Sequence, residues 1–513
     1  EATPYSAQAD IHPPVLHTHS KNGERIDRIE YHPSYIELQK MSYEQGLVAV
    51  KYDPHFLSQH ASCRHTLGFI LGYYFAQTEP GLFCPICMTD ALGRVLESHP
   101  SHPMAQEALK HIGSKNLEDL WQGAMFLTEI QGGSDVGANL CTAENIQGKW
   151  FLSGDKWFCS NADAKAILAL ARMPGAEGEL NKGTRGLGLF LILRDHPQNN
   201  SKTWHTHRLK NKLGVRSMAS GEITFNKTEA YLIGGANEGF KIMTEMVNMS
   251  RIYNSVASIA IVRRALMEAY AFGSQRKAFG SLLSNLPLWR SCIADLAAEH
   301  IGHLLLTFEA VINLDKADQG DHAAEQIVRT LTPLTKATTG KLAVFAASEA
   351  MELIGGNAYI EEHILPRLLR DAQVMPIWEG TTNIQSLDFL RLLTKEGATA
   401  LIQRCETALG SDSSAELYEI IHHRLRHLKN LLGESKKKSP EDLQRVAREL
   451  LEVSARTVIL CLLFEASQNQ DLKDVCTASL KRLLARPSNT FGLGAHGNLD
   501  LKNTEECLLK NIL

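Results

Sequence analysis

The chain has 513 residues, a formal net charge of −4, 44% hydrophobic residues and 21% charged residues. This balance is typical of a soluble globular protein with several domains, and it argues against a protein built to coat nucleic acid or an anionic membrane. No apolar run approaches the ~18 residues that a membrane span needs.

The ends of the chain and its cysteines bear on its compartment. The first residues, EATPYSAQADIHPP, match neither a signal peptide nor an Arg-rich transit peptide, and the last three, NIL, are no peroxisomal signal. The ten cysteines are scattered, which favours a reducing compartment. Cys84 and Cys87 lack nearby partners for a zinc site, so we interpret them as thiols at an apolar helix start and predict no metal site. We expect a cytoplasmic protein, or a mitochondrial matrix protein if a leader has been removed.

Periodicity divides the first half of the chain into three regions. Residues 1–28 are polar, rich in His and Pro, and predict an extended N-terminal arm. Residues 29–122 carry apolar residues at helical spacing and predict an N-terminal helical domain. Residues 123–238 contain short β-branched and aromatic runs broken by Gly, Asn and Asp, which predict a middle β-domain, a small antiparallel barrel or sandwich. The predicted strands are Lys149–Ser153, Lys156–Ser160, Ala166–Arg172, Gly186–Leu193, Ser201–His207 and Glu222–Phe225.

Helical periodicity returns in residues 239–395 and predicts a helical bundle domain, with long periodic segments at Asn254–Arg290 and Glu325–Ile354. Residues 396–513 predict an extra C-terminal helical region, in which Ser439 caps a helix that Pro440 begins. The fold class is therefore an α+β multidomain protein. A GxGxxG match at residues 492–497 lacks the strand–turn–helix context of a Rossmann site, and we reject it.

The stretch LTEIQGGSDVGA, residues 127–138, combines hydroxyl groups with glycines that let the backbone approach a ligand closely. Taken alone it could be an ordinary β-turn. The stretch KWFCSNA, residues 156–162, follows a turn, and strand alternation predicts Trp157 with Cys159 on one face and Phe158 with Ser160 on the other. An aromatic ring and a hydroxyl on one face suit a planar ligand, although a buried Trp–Phe pair is a common core feature.

Two further stretches suit phosphate groups. In QRKAFG, residues 275–280, the planar guanidinium of Arg276 is a bidentate phosphate donor, or else an Arg favoured at a helix end. In ELIGGNAYIEE, residues 352–362, Gly355 and Gly356 permit a close backbone approach.

The stretch VMPIWEGTTNIQSLDFLR, residues 374–391, places Glu379 between Trp378 and Gly380. Apolar surroundings raise a carboxyl pKa, towards about 6–7 in catalytic cases, which suits a general base near neutrality. Thr381 and Asn383 begin a helix whose first N–H groups are available to a polar or anionic ligand. The ordinary alternative is a helix cap preceded by a surface Glu.

These five stretches, in this order, resemble the motifs of the acyl-CoA dehydrogenases, over about residues 30–395 and most closely in the AidB-like branch. The resemblance implies an N-terminal helical domain, a middle β-barrel, a C-terminal helical bundle and an FAD cofactor. It implies that Glu379 is the base that takes the α-proton of an acyl thioester. The implied cofactor contacts are Met125, Leu127, Thr128, Phe158, Ser160, Arg276, Phe279, Gly355, Gly356, Thr381 and Asn383, with Trp157 second at the flavin ring; the implied substrate contacts are Ser134, Arg251, Trp378 and Gly380.

Three residues depart from the family pattern. Phe126 stands where a small residue is usual, which predicts altered packing at the edge of the flavin ring. Ala358 replaces a glycine, which predicts backbone strain if φ there is positive, and Glu352 stands where Gln is common.

The resemblance implies desaturation of an acyl-CoA substrate to a trans-2-enoyl-CoA, with hydride transfer to flavin N5. It also implies an electron-transfer flavoprotein or a similar acceptor, and a homotetramer built as a dimer of dimers. One alternative is an AidB-like flavoprotein with a DNA-binding, alkylation-response role and weak dehydrogenase activity. Residues 396–513 contain 16 Lys and Arg against 16 Asp and Glu, so counterion release would be small and we expect no nucleic-acid partner. A second alternative is an acyl-CoA oxidase, which differs in the access of O₂ to the flavin.

Overall fold

A computed structural model of the chain describes residues 2–100, 102–175, 180, 182–393, 397–410, 416–485 and 501–511. The chain divides into two compact units, Glu1–Tyr253 and Asn254–Leu513. Over the described ranges, every helix is too short or too polar to cross a membrane.

The first residues do not form the extended arm that their composition predicts. They form helix α1, Thr3–Ile11, followed by the antiparallel hairpin of β1, Val15–His19, and β2, Arg25–Glu30. The helix buries Ser6, Ala9 and Asp10, which are small or polar, so its sequence shows no apolar periodicity. A hydrogen bond from Ser6 Oγ to the Thr78 carbonyl (2.8 Å) anchors it instead.

The helical texture expected before the β-domain is confirmed. The helices are α2, Pro33–Gln39; α3, Pro54–His60; α4, Arg64–Ala76; α5, Pro80–Ser98; and α6, Pro103–Ile112. Four of the five begin with a proline. Proline suits the first helical turn because an N–H group at that position has no partner within the helix, so its absence costs nothing. The residue before each of these prolines caps the helix through its side chain, as in Glu79, which accepts from Leu82 N at 3.0 Å. Cys84 and Cys87 lie in the first half of α5, as interpreted.

The middle region forms the expected barrel. Its strands are β3, Gly123–Phe126; β4, Thr142–Ile146; β5, Lys149–Ser160; β6, Ala166–Arg172; β7, Leu187–Leu193; β8, Trp204–Leu209; and β9, Ser220–Ile233. The pairings β6–β4–β5–β9–β7–β6 close a ring, to which β3 and β8 add at β6 and β9. Every residue of β6 and β7 is buried, as in a filled small barrel.

Three details of the barrel correct the sequence prediction. The pairs β3–β6 and β4–β6 are parallel, so the sheet is mixed rather than purely antiparallel. The two strands predicted at Lys149–Ser153 and Lys156–Ser160 are one strand, because Gly154 (φ +138°) continues the chain in place of a turn. Strand β9 extends far beyond the predicted Glu222–Phe225, since the polar run that follows still pairs with β5, and the residues after that run pair with β7.

The second region of helical texture contains α7, Gly239–Gly273; α8, Pro287–Asp318; α9, His322–Ile354; α10, Ile364–Ala372; and α11, Thr382–Leu393. The periodic segment Glu325–Ile354 is confirmed as α9. The segment Asn254–Arg290 is not one helix, because α7 ends at Gly273 and a short hairpin, β10 (Lys277–Ala278) and β11 (Ser281–Leu282), precedes α8. Positive φ at Phe279 and Gly280 forms the hairpin turn.

The C-terminal region is helical, as expected, with α12, Gly397–Leu409; α13, Glu416–Ser435; α14, Pro440–Ala466; α15, Lys473–Leu484; and α16, Leu501–Lys510. Ser439 caps α14 by accepting from Asp442 N at 3.2 Å. Three arginines of these helices form ion pairs with carboxylates of α8: Arg404–Glu309 (2.6 Å), Arg456–Glu299 (2.7 Å) and Arg482–Asp295 (2.6 Å). The C-terminal helices therefore belong to the second compact unit. The rejected GxGxxG match lies outside the described residues.

Candidate active site

In the first unit, the candidate flavin site begins at the end of β3. Met125, Leu127 and Thr128 are half-buried, whereas Phe126 between them is buried in the barrel core beside Trp204, with ring centroids 6.1 Å apart. Strand alternation directs Phe126 inward, so its bulk fills the barrel. The expected effect of Phe126 on packing at the flavin edge is therefore wrong.

A buried ion pair that was not predicted from the sequence fixes the loop after Thr128. The Glu129 carboxylate accepts from Lys156 Nζ at 2.8 Å and from the N–H groups of Leu140 (2.5 Å) and Cys141 (3.1 Å). Burial works to raise the pKa of Glu129, but the Lys156 charge and these hydrogen bonds outweigh it, and the pKa is lowered. The glutamate in the motif was the one sequence signal for this ion pair. Its partner could not be identified from the motif, because Lys156 lies 27 residues further along the chain.

The same loop folds back over Thr128. A Cβ at Gly133 would lie 2.5 Å from Thr128 Oγ1, so only glycine allows this close approach. The Thr128 carbonyl accepts from Trp157 N at 2.9 Å, which joins the loop to β5. Ser134 is exposed in the loop, where a ligand can reach it.

The predicted alternation along KWFCSNA is wrong for Trp157, which does not share the buried face of Cys159. The pairing of β5 with β9 is irregular between Lys156 and Cys159, and Cys159 is buried in the core, whereas Trp157 and Phe158 both lie outside it. The Lys210 ammonium lies 3.3 Å from the Trp157 ring centroid and 4.8 Å from that of Phe158. A local bulge thus gathers both rings on one side, a feature that strict alternation cannot predict.

These residues fit a flavin. Phe158 has 56% of its surface exposed, although a bulky ring is normally buried, and it therefore offers an apolar surface to a planar ring. Ser160, two residues on, is half-buried and supplies a hydroxyl. Thr128 adds a second hydroxyl. An aromatic surface flanked by hydroxyl donors suits a heteroaromatic ring whose edge carries hydrogen-bond acceptors.

In the second unit, Glu379 and Gly380 have consecutive positive φ values of +58° and +95°. For a residue with a side chain, the left-handed region costs of order 1–3 kcal/mol, and such a conformation persists only where the surrounding structure imposes it. The Glu379 side chain is half-buried beside Trp378. Such strain clusters at functional sites, which supports the choice of Glu379 from sequence. Its raised pKa stays a prediction.

Two buried side chains clamp the backbone of this loop. Lys336 Nζ, fully buried in α9, donates to the Gly380 carbonyl at 2.6 Å. Gln385 Nε2, fully buried in α11, donates to the carbonyls of Glu379 (2.8 Å) and Gly380 (3.2 Å). The clamp explains how the strained conformation persists. Lys336 is not predictable from the motif, because it lies on another helix, 44 residues before Gly380.

We expect Lys336→Met to slow acyl-CoA turnover about 10- to 100-fold while FAD stays bound. A displacement of the predicted base, Glu379, by about 1 Å would reduce the rate by about that factor. The Gly380 carbonyl would lose its charged donor, and the loop could relax. Steady-state kinetics and the flavin content of the purified protein provide the test. Lys341→Met, an exposed lysine on the same helix, is the control. Wild-type turnover in Lys336→Met would contradict the role of the clamp.

The predicted cofactor contacts after Glu379 lie at the start of α11. Thr381 and Asn383 are exposed, while Thr382 between them is buried. The Asn383 Oδ1 atom accepts from Arg448 Nε of α14 at 2.7 Å. The C-terminal region therefore reaches a residue of the predicted cofactor site, which its position beyond residue 395 did not suggest.

The predicted phosphate-binding glycines lie at the end of α9. Gly355 (φ +86°) and Gly356 are exposed, and neither would bring an added Cβ within 4 Å of another group, so their backbone is open. At 1.5 Å per residue, Lys336 and Gly355 are roughly 28 Å apart along α9, so these glycines lie far from the Glu379 loop. Ala358 is buried and its φ is not positive, so the expected strain there is wrong. Glu352 is exposed.

The remaining predicted residues lie elsewhere. Arg276 and Phe279 are on the β10–β11 hairpin, where Phe279 is 96% exposed. An apolar ring that is fully exposed at a hairpin tip suits a contact with another chain. Arg251 of α7 is buried, and its Nη1 donates to Asn248 Oδ1 at 3.3 Å.

Three family models match the chain in order. They are the N-terminal domain of the adaptive response protein AidB over residues 1–118, the acyl-CoA dehydrogenase middle domain over residues 124–228 and the acyl-CoA dehydrogenase C-terminal domain over residues 237–393. Acyl-CoA dehydrogenase family member 11 of Caenorhabditis elegans is 32% identical over 486 residues, 91% of this chain and 78% of the relative. The chain belongs to the acyl-CoA dehydrogenase family.

One further relative supports the AidB-like placement of this acyl-CoA dehydrogenase, and a solved structure supports its fold. The putative acyl-CoA dehydrogenase AidB of Escherichia coli strain K12 is 32% identical over 397 residues, 76% of this chain and 70% of the relative. The crystal structure of Caenorhabditis elegans ACDH-11 in complex with C11-CoA superposes with a TM-score of 0.90 at 30% identity, covering 96% of this chain and 86% of that chain. The predicted fold, enzyme class and FAD cofactor are thereby confirmed.

Proposed function

We propose that this acyl-CoA dehydrogenase desaturates an acyl-CoA thioester to the trans-2-enoyl-CoA, with Glu379 as the base that removes the α-proton. The observation that carries the proposal is the clamped, left-handed backbone of Glu379 and Gly380. The positive φ of Phe279 turns a hairpin at the surface, whereas that of Glu379 is held by two fully buried donors, Lys336 and Gln385.

The chemistry explains why the loop must be rigid. The α-C–H of a thioester is far too weak an acid for an unassisted carboxylate of pKa ~4.3. Preorganised donors to the developing enolate oxygen are each worth on the order of 10²–10³ in rate. By family resemblance, one donor is the backbone N–H of Glu379. Lys336 and Gln385 hold the neighbouring carbonyls and thereby fix the direction of that N–H.

The cofactor side of the proposal rests on the first unit. Thr128, Phe158 and Ser160 would hold the flavin ring together with the backbone of Met125 and Leu127. Ser134 would meet the thioester end of the substrate. Bound FAD supplies the acceptor for the β-hydride.

The substrate proposed is an acyl-CoA with a chain near that of the ligand of the C. elegans relative, which was solved with C11-CoA. Anaerobic titration of the purified protein with acyl-CoAs of graded chain length tests this. We expect the flavin to bleach, most completely near C11, and the product to be the corresponding 2-enoyl-CoA by mass spectrometry. Absence of bleaching at every chain length would overturn the proposed function.

For the electron acceptor we propose an electron-transfer flavoprotein, and for the assembly a homotetramer, both by family resemblance. The fully exposed Phe279 supports contact of the β10–β11 hairpin with a neighbouring subunit. Stoichiometric peroxide release during turnover in air would favour the oxidase alternative instead.

We expect weak binding of duplex DNA even at low salt. The exposed cations of α13 and the following loop, such as Arg424, Arg426 and Lys436, are interleaved with the exposed acids Glu419 and Glu434. Mixed charge releases few counterions on binding DNA. Dissociation constants measured at two salt concentrations check this; tight binding with a steep salt dependence would favour the DNA-binding alternative.

A further inference from the structure

Beside the proposed flavin site, three side chains of the first unit form a hydrogen-bonded series. Ser160 Oγ, at the end of β5, lies 3.4 Å from Ser220 Oγ at the start of β9. Lys212 Nζ, in the loop between β8 and β9, donates to Ser220 Oγ at 3.2 Å and to the Met218 carbonyl at 2.7 Å. Ser220 is buried, and Lys212 and Ser160 are half-buried.

The chemistry of the lysine gives this series a direction. Two neighbouring hydroxyls can donate either way, but an ammonium group can only donate. The ammonium group cannot accept the Ser220 hydrogen, and among the described residues Ser160 Oγ is the acceptor that lies within hydrogen-bond distance of Ser220 Oγ, so this hydrogen points at Ser160. Ser160 then accepts from Ser220, and its own hydrogen is available to the flavin of the proposed site.

The loop that carries Lys212 is itself fixed. Ser217 Oγ donates to the buried Glu79 carboxylate at 2.6 Å, and Arg216 Nε donates to the Lys212 carbonyl at 3.2 Å. Ser6 of α1 donates to the other oxygen of Glu79. The lysine therefore presents its ammonium group from a rigid support, as a residue that orients others must.

We propose that Lys212 is a positioning residue, which acts through Ser220 to make the Ser160 hydroxyl a hydrogen-bond donor to the flavin. This inference rests on the proposed function, because Ser160 is assigned there as a flavin contact. Without the ammonium group, the two hydroxyls would share their hydrogens in either direction, and Ser160 would donate to the ligand only part of the time.

A double-mutant cycle tests the inference on the FAD-loaded enzyme. We expect Lys212→Met and Ser160→Ala each to slow anaerobic flavin reduction about tenfold, and each to shift the visible absorption band of the bound flavin in the same direction. The double variant should be no slower than Ser160→Ala alone, because both changes remove one interaction. Lys212→Arg, also a pure donor, should restore most of the rate. Lys202→Met, an exposed lysine of the same domain, is the charge-matched control and should behave as wild type.

These measurements distinguish failure of the positioning role of Lys212 from failure of the flavin assignment of Ser160. If Ser160→Ala slows reduction but Lys212→Met leaves rate and spectrum unchanged, or if the two effects multiply in the double variant, the positioning role is wrong and the proposed function stands. If Ser160→Ala itself leaves rate and spectrum unchanged, the assignment of Ser160 to the flavin site fails, and the positioning role fails with it. Thermal melting of each variant distinguishes these effects from a general loss of folding.

Discussion

Glu379→Gln is expected to bind FAD and acyl-CoA but to lose flavin reduction by at least about 10³-fold. The amide preserves the size of the side chain and its place in the loop, yet it cannot take up a proton. General-base catalysis is worth about 10²–10⁴ in rate, and no second carboxylate of the loop 374–391 is placed to replace Glu379, since Asp388 is engaged with Arg391 on α11.

The measurement is anaerobic stopped-flow absorbance of the flavin after mixing with acyl-CoA. Glu325→Gln, an exposed glutamate at the start of α9, carries the same chemical change and should retain wild-type rates. Retained reduction in Glu379→Gln would remove this residue from the reaction and would leave its strained backbone without an explanation.

The second large effect concerns Lys156→Met in the barrel, which we expect to lower the free energy of unfolding by about 3–5 kcal/mol. The change leaves the Glu129 carboxylate buried without its counter-charge, while its two backbone donors at Leu140 and Cys141 remain. Because Glu129 fixes the loop behind Thr128, FAD should also bind more weakly. Lys202→Met, at the surface, should change stability by no more than about 0.5 kcal/mol.

Chemical denaturation followed by fluorescence, with and without FAD, measures both effects. The double variant Glu129→Leu/Lys156→Met should regain stability relative to Lys156→Met, since removing both charges removes the uncompensated one. A loss no larger than that of Lys202→Met would mean that the ion pair does not stabilise the barrel.

The ion pair of Glu129 and Lys156 also predicts how the free energy of unfolding depends on pH in acid. The pKa of Glu129 is lowered in the folded protein, so its contribution is fully present above the pKa of an unfolded glutamate, about 4.3, and is lost as the pH falls through the folded value. Lys156→Met removes the main cause of the lowered pKa. We therefore expect the stability difference between wild type and this variant to shrink below about pH 4.

Much of the fold could be predicted from local sequence patterns. The strand Ala166–Arg172 has the same bounds in the prediction and in the structure, because it is a short apolar run bounded by polar residues. The Ser439 cap and the long helix α9 were likewise readable from neighbouring residues. Helix α1 was not, since its buried face consists of Ser6, Ala9 and Asp10 and carries no apolar signal.

The candidate site also combines features that neighbouring residues predict with features that depend on distant residues. Glu379 could be chosen from its immediate neighbours, but the clamp could not, because Lys336 lies 44 residues before the Gly380 carbonyl that it contacts. The bulge that brings Trp157 and Phe158 to one side depends on the pairing of β5 with β9, which the sequence of β5 alone does not contain. Long-range contacts of this kind follow from the tertiary fold rather than from local propensity.

The central claim, that Glu379 removes the α-proton in the step that reduces the flavin, is tested most directly with an acyl-CoA deuterated at the α-carbon. Wild-type protein mixed anaerobically with this substrate should bleach several-fold more slowly than with the protonated substrate, and Glu379→Gln should bleach with neither on the same timescale. Equal bleaching rates with both substrates, together with wild-type rates in Glu379→Gln, would contradict the account.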